Sequence, residues 1–185
     1  MKIKFPNKTA KEIYEYYTNN KKRKLLYGTD WYKNEDFYTK EKCRKGTREV
    51  ITDLTPTLGK TWDECKEIAD KNNTSMLNFA ELLWCMIKIP DFLKGNYSWT
   101  SSPTSDGCFV YAGDFDDDGG NVYRYRPRDS YSDVGCAFIA VALKSSTIDT
   151  LKGDEASSLG ALEKRVGYLE ETVERIRFWK EGSKK

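Results

Sequence analysis

From Asn7 to Asn19 the chain follows helical spacing: Ile13, Tyr16 and Tyr17 share one face, and Asn7 or Thr9 can cap the start. The run Asn19-Asn20-Lys21-Lys22-Arg23-Lys24 that follows reads as a solvated turn. Thr61-Trp62-Asp63-Glu64 is a capping box, in which Thr61 accepts from the backbone amide of Glu64 and Glu64 reaches back to the cap. It predicts a helix to about Asp70. Asn78-Phe79-Ala80-Glu81 is a second start signal; Leu82, Leu83, Cys85, Met86 and Ile89 give that helix a wide apolar face, and Pro90 stops it.

After Pro90 the period changes. Tyr97 to Ser101, Phe109 to Phe115, Asn121 to Arg126 and Val134 to Leu143 are β-branched and aromatic runs separated by Gly, Asp, Ser and Pro clusters. Asp118-Gly119-Gly120-Asn121 is a hairpin signal between two of them. The pattern predicts an α+β fold, two or three helices followed by a compact antiparallel sheet, over residues 1–143. Lys144 to Ser158 is a polar linker. Beyond it Leu159, Leu162, Val166, Leu169, Val173 and Ile176 recur at spacings of 3, 4, 3, 4 and 3, a heptad seam. The expectation for residues 159–180 is a C-terminal helix in a parallel coiled coil, with a trimer slightly favoured over a dimer.

Composition narrows the function. Charged residues make up 32% of the 185, yet the formal net charge is only +2, without the basic excess that nucleic-acid binding draws on. No run approaches the roughly 18 apolar residues of a membrane span, and the N-terminus lacks a signal-like apolar stretch. The chain is therefore expected in the cytoplasm or on a virus particle, with neither nucleic acid nor membrane insertion among its partners. Histidine is absent, which removes the commonest general base and zinc ligand together. The five cysteines, Cys43, Cys65, Cys85, Cys108 and Cys136, are odd in number and widely spaced, and read as free buried thiols. The expectation is a binding protein without catalysis or cofactor.

One segment stands apart. From Ser101 to Leu143 there is no Lys, Glu, Met or Trp; every charge is Asp or Arg, and Tyr, Ser, Gly and Phe fill most of the remaining polar and aromatic positions. Antibody paratopes use this palette, because Tyr offers large amphipathic contact at low rotamer cost while Ser and Gly adapt. A sheet whose exposed face merely favours Tyr and Arg is the alternative. Within the segment, Asp114-Phe115-Asp116-Asp117-Asp118-Gly119 has the form D-x-D-x-D-G, which makes Asp114, Asp116 and Asp118 candidate calcium ligands. Against that, the twelfth position, where a closing Glu belongs, is Tyr125.

The order TWDECKEIADKNN, MLNFAELLWCMI, YSWTSSP, VYAGDF and NVYRYRPRDSYSDVGCAFIAVAL resembles the variable proteins of diversity-generating retroelements, over roughly Gly46 to Leu143. The resemblance implies a C-type lectin fold of the formylglycine-generating-enzyme type, used as a scaffold for varied ligand contacts. In that family mutagenic copying falls on adenines of AAC or AAT template codons, which keep a terminal pyrimidine and cannot become Lys, Glu, Gln, Met or Trp. The variable region would then span about 101–138. Its ligand-binding residues would be Asp106, Phe109, Tyr111, Asp114, Asp116, Asp117, Tyr123, Tyr125, Asp129, Tyr131 and Asp133, turned outward on one face towards a protein or cell-surface ligand. Such variable segments commonly lie near the C-terminus, whereas here about forty residues follow. A lectin-like or calcium-stabilised adhesion module is the second reading, and an oxidase of the formylglycine-generating type a distant third.

Overall fold

A computed structural model describes residues 1–21, 25–27, 30–89, 91–116 and 119–140. The chain divides into a unit of Met1–Val141 and a second of Ala142–Lys185. The expected linker and heptad seam lie outside the described residues, as do residues 22–24 of the basic run 19–24.

The first unit is α+β, with two small sheets that are mostly antiparallel. Strand β1 (Lys2–Phe5) alternates exposed lysines with buried Ile3 and Phe5. Helix α1 (Ala10–Lys21) starts from Thr9: its hydroxyl accepts from the Glu12 amide at 3.2 Å, and the Glu12 carboxylate accepts from the Thr9 amide at 2.7 Å. The buried stripe of α1 is Ala10, Ile13 and Tyr17, whereas Tyr16 is 51% exposed, against expectation. The seven-residue repeat from Ala10 to Tyr17 sets the stripe; Tyr14 flanks it on the side of the short helix α2 (Asp36–Thr39), edge-on to Tyr38, and Tyr16 is left on the outer flank.

Strand β2 (Gly46–Ile51) leads through a 3-10 turn to helix α3 (Trp62–Lys71), strand β3 (Thr74–Met76) and helix α4 (Phe79–Lys88). The expected capping box forms on Thr61, and the start signal at Asn78 also closes as a capping box. Strands β4 (Tyr97–Pro103), β5 (Phe109–Asp116), β6 (Gly119–Tyr125), β7 (Val134–Cys136) and β8 (Phe138–Ala140) complete the unit. The first sheet has the order β1-β2-β8-β3 and the second β6-β5-β4-β7.

Three expectations about the strands need correction. The helices are not followed by one compact antiparallel sheet: β1, β2 and β3 precede or alternate with the helices, and the strands form two sheets, the second with one parallel pair. The run from Val134 does not form one strand: β7 pairs parallel with β4, and β8 pairs antiparallel with β2 and β3. The switch falls at Ala137, whose backbone N–H donates to Ser98 Oγ at 3.0 Å in place of a ladder partner. The hairpin turn also sits earlier than expected, because Asp116 pairs with Gly119, which places Gly119 and Gly120 in the strand. At Gly120 a Cβ would stand 2.6 Å from Met86 Cε, so α4 packs directly on this backbone.

Ile13, Leu77, Phe79, Leu82, Leu83, Met86, Val110 and Ala112 are fully or almost fully buried in one apolar cluster between α1, α4 and the inner face of the second sheet. Within this unit Glu81 is also 0% exposed. It is held by Arg44 through Nη2–Oε2 at 2.6 Å and Nε–Oε1 at 2.8 Å, and by the Arg44 amide at 2.9 Å. Cys43, Cys65, Cys85 and Cys136 are buried and Cys108 half-buried, all as free thiols. Among the described residues no helix is long and apolar enough to cross a membrane.

Candidate functional site: the tyrosine face of the second sheet

Side chains alternate across a strand, so register decides which residues of the 101–143 segment meet. Val110 and Ala112 of β5 and Val122 of β6 point into the core, and Phe109 and Tyr111 therefore point to the other face. Phe109 pairs with Tyr125 and Tyr111 with Tyr123, while Trp99 and Tyr97 of β4 pair with Tyr111 and Gly113. Register thus settles the Tyr/Arg alternation of β6: Tyr123 and Tyr125 take the outer face.

Tyr111 is the hub. Its ring lies 5.5 Å from Tyr123 and 5.5 Å from Tyr125, both stacked, and edge-on to Trp99 at 5.0 Å. Tyr131, from the loop between β6 and β7, folds back to 4.7 Å from Tyr125 and 6.4 Å from Tyr111. Tyr97 meets Tyr111 and Tyr123 edge-on at 5.7 and 5.8 Å. One end of this face is covered by the start of α3. There Trp62 stacks on Phe109 at 3.7 Å and donates its indole N–H to the Thr100 carbonyl at 2.8 Å, and the buried Trp99 donates to the Lys60 carbonyl at 3.2 Å. The other end is open, with Tyr123 43% and Tyr131 38% exposed.

The expected site residues separate accordingly. Tyr123, Tyr125 and Tyr131 form the accessible surface with Tyr111 beneath them; at 6% exposure Tyr111 is a floor and not a contact residue. Phe109 shares the face but lies under Trp62. Asp106 is elsewhere: it accepts from Thr104 Oγ1 at 2.5 Å and pairs with Arg124 Nη1 at 3.0 Å, and Arg124 lies over the Trp31 ring on the helical side. The parity that turns Tyr123 outward sends Arg124, and Asp106 with it, the other way.

Asp114 opens the β5 bulge at φ 49° and accepts from the Gly95 amide at 3.3 Å. Asp129 accepts from the Arg126 amide at 3.2 Å, and the Asp133 carbonyl accepts from the Tyr97 amide at 2.9 Å. Asp116 is exposed near the hairpin end; Asp117 and Asp118 lie outside the described residues. The residues around Asp114 to Gly119 are strands of one hairpin, where an EF-hand loop needs twelve residues between helices. Among the described residues no group of three His, Cys, Asp or Glu side chains could hold a metal ion.

Three members of the cluster come from outside the segment: Trp62, Tyr97 and Trp99. Alternation within Tyr97-Ser98-Trp99 puts the two β4 aromatics on one face, but only the pairing with β5 shows that it is the face of Tyr111.

Three hydroxyls of the cluster, those of Tyr131, Tyr97 and Tyr111, are shifted upward. Hydrogen bonding to Tyr125, then burial, pushes Tyr131 up to about 12. Burial, then the neighbouring Asp114 carboxylate, pushes Tyr97 up to about 12. Burial and the adjacent tyrosines raise Tyr111 further. The face therefore offers aromatic rings and neutral hydroxyls that both donate and accept. No family model, curated protein or solved structure matches the chain.

Proposed function

We propose that this chain is a ligand-binding protein of lectin-like fold, a variable protein of a diversity-generating retroelement, which recognises its ligand with the tyrosine face of the second sheet. The observation that carries the reading is the coincidence of two independent patterns. The stretch with a restricted residue alphabet, 101–143, supplies Tyr111, Tyr123, Tyr125 and Tyr131, which strand register and the β6–β7 loop gather outside the apolar core. The inner rows of the same strands, Val110, Ala112 and Val122, belong to the core, so the exposed positions of the opposite face, Tyr123 and Tyr131, can vary at little expense to folding. Helices packed beside small, mostly antiparallel sheets support the lectin-like part of the reading. It gives the chain no chemical step and no cofactor.

The test is genomic. Beside the coding sequence, next to a reverse-transcriptase gene, a near-repeat of the DNA for residues 101–138 is expected, with its differences concentrated at adenines. A locus with neither repeat nor reverse transcriptase would remove the retroelement from the proposal.

Assembly through 159–180 belongs to the same proposal, since several weak faces on one particle gain avidity. Light scattering at micromolar concentration is expected to give two or three chain masses, and Val166→Asp to return one. A single mass unchanged by that substitution would remove the coiled coil.

A further inference from the structure

Seven aspartates stand against three arginines between Ser101 and Leu143, a net charge of −4 in a chain whose total is +2. The structure divides these charges unevenly between the two faces of the second sheet. Arg124 is taken to the helical side by its pairing with Asp106 and its place over Trp31. Three carboxylates border the tyrosines: Asp133, whose carbonyl holds the Tyr97 amide; Asp114, next to the Gly113 that pairs with Tyr97; and Asp129, two residues before Tyr131. The opposing charges are Arg126 and Arg128, both exposed in the loop that carries Tyr131. The carboxylates of Asp114 and Asp133 act on the Tyr97 hydroxyl, and that of Asp129 on the Tyr131 hydroxyl.

Tyrosine rings bordered by carboxylates attract cations twice over, through the ring quadrupole and through charge. Tyr123 and Tyr131, the most exposed of these tyrosines at 43% and 38%, present the ring surface that a cation can reach. A guanidinium stacks on such a face and can bond a carboxylate at its rim at the same time.

From this arrangement we infer that the partner of the tyrosine face is a basic protein segment, which lays arginine or lysine side chains across Tyr123 and Tyr131 between Asp129 and Asp133. The inference rests on the recognition role proposed above and names the chemical class of its ligand.

The test is to pan a charge-balanced random peptide library on the full chain at about 0.15 M salt, where screening leaves only close charges effective. Enriched peptides are then measured on variants. Peptides rich in Arg and Lys are expected. Their affinity should fall about tenfold on Tyr123→Ala/Tyr131→Ala, the loss of two exposed cation–π contacts. It should fall about threefold on Asp129→Asn/Asp133→Asn, and rise on Arg126→Ala/Arg128→Ala. Asn at 129 keeps the oxygen that accepts from Arg126, and thermal melts of each variant establish that it is folded. Enriched peptides that need the two tyrosines but carry no excess of basic residues would overturn the cationic class and leave the face as a recognition surface. Peptides indifferent to the tyrosine pair, or no enrichment at all, would overturn the recognition face and this inference with it.

Discussion

Replacing Arg44 with methionine is expected to lower the unfolding free energy by about 3–5 kcal/mol, the usual consequence of leaving a buried charge without its partner. Glu81 is fully buried and accepts from Arg44 Nε, Nη2 and backbone, and its Oε2 also accepts from the Asn78 amide at 3.0 Å as half of the α4 capping box. The Arg44 side chain keeps 39% of its surface in contact with solvent, so its own desolvation is partial while Glu81 loses all its water. This asymmetry is why the pair stabilises here, although many buried pairs gain nothing over apolar residues. Arg44 also ties β3 to α4 by donating to Ser75 Oγ at 2.7 Å and to the Met76 carbonyl at 2.9 Å. Urea unfolding of Arg44→Met checks the expectation. A loss below about 1 kcal/mol, in the range of an exposed ion pair, would mean that Glu81 finds water once the guanidinium is gone.

How much of this was legible in the sequence follows the range of the forces involved. The helix starts at Thr61 and Asn78 were readable because cap, third residue and apolar face lie within one turn of each other. Glu81 was readable as a cap but not as a buried ion, since Arg44 is 37 residues away and no spacing announces it. Strand β1 was missed because four residues of alternation, Lys2-Ile3-Lys4-Phe5, are too few to stand out, and it gains its partner only from β2. At the split of β7 from β8 the backbone amides of Cys136 and Ala137 donate to the hydroxyls of Thr57 and Ser98, both far away in sequence.

The site behaved in the same way. The residue alphabet of 101–143 suggested where in the chain to place it, but which aromatic side chains gather there depended on register. The alternation at Tyr123 to Arg126 allowed either face, and only the pairing of Phe109 with Tyr125 and Tyr111 with Tyr123 chose one. Asp106 was drawn into the site by its residue type and then removed by the same register, through Arg124. Tyr97, Trp99 and Trp62 escaped because an argument from restricted codons cannot look beyond the restricted stretch.

That dependence on register makes Gly113 the position where a single methyl group should do the most harm. Alanine there is expected to cost about 3 kcal/mol or more, at or above the upper end for overpacking. A Cβ on Gly113 would stand 2.1 Å from the Asn96 carbonyl oxygen and 2.6 Å from Tyr97 Cα, both backbone atoms without a rotamer to give way. Neither neighbour is free to retreat. The Asn96 carbonyl accepts from the Asp114 amide at 2.8 Å, and the Tyr97 amide donates to the Asp133 carbonyl at 2.9 Å, so movement of β4 away from β5 strains the contact with β7 as well. The control is Gly107→Ala. Gly107 sits at φ +80° with nothing within 4 Å of the added methyl, so that variant should lose only the roughly 1–2 kcal/mol of left-handed backbone strain. Chemical denaturation of both variants compares steric exclusion with backbone strain directly. Because Tyr97 is also the edge-on neighbour of Tyr111 and Tyr123, whatever Gly113→Ala leaves folded should bind the selected peptides more weakly than Gly107→Ala does. If both variants unfold at the same denaturant concentration, the close approach of β4 to β5 at Gly113 does not govern the stability of this sheet.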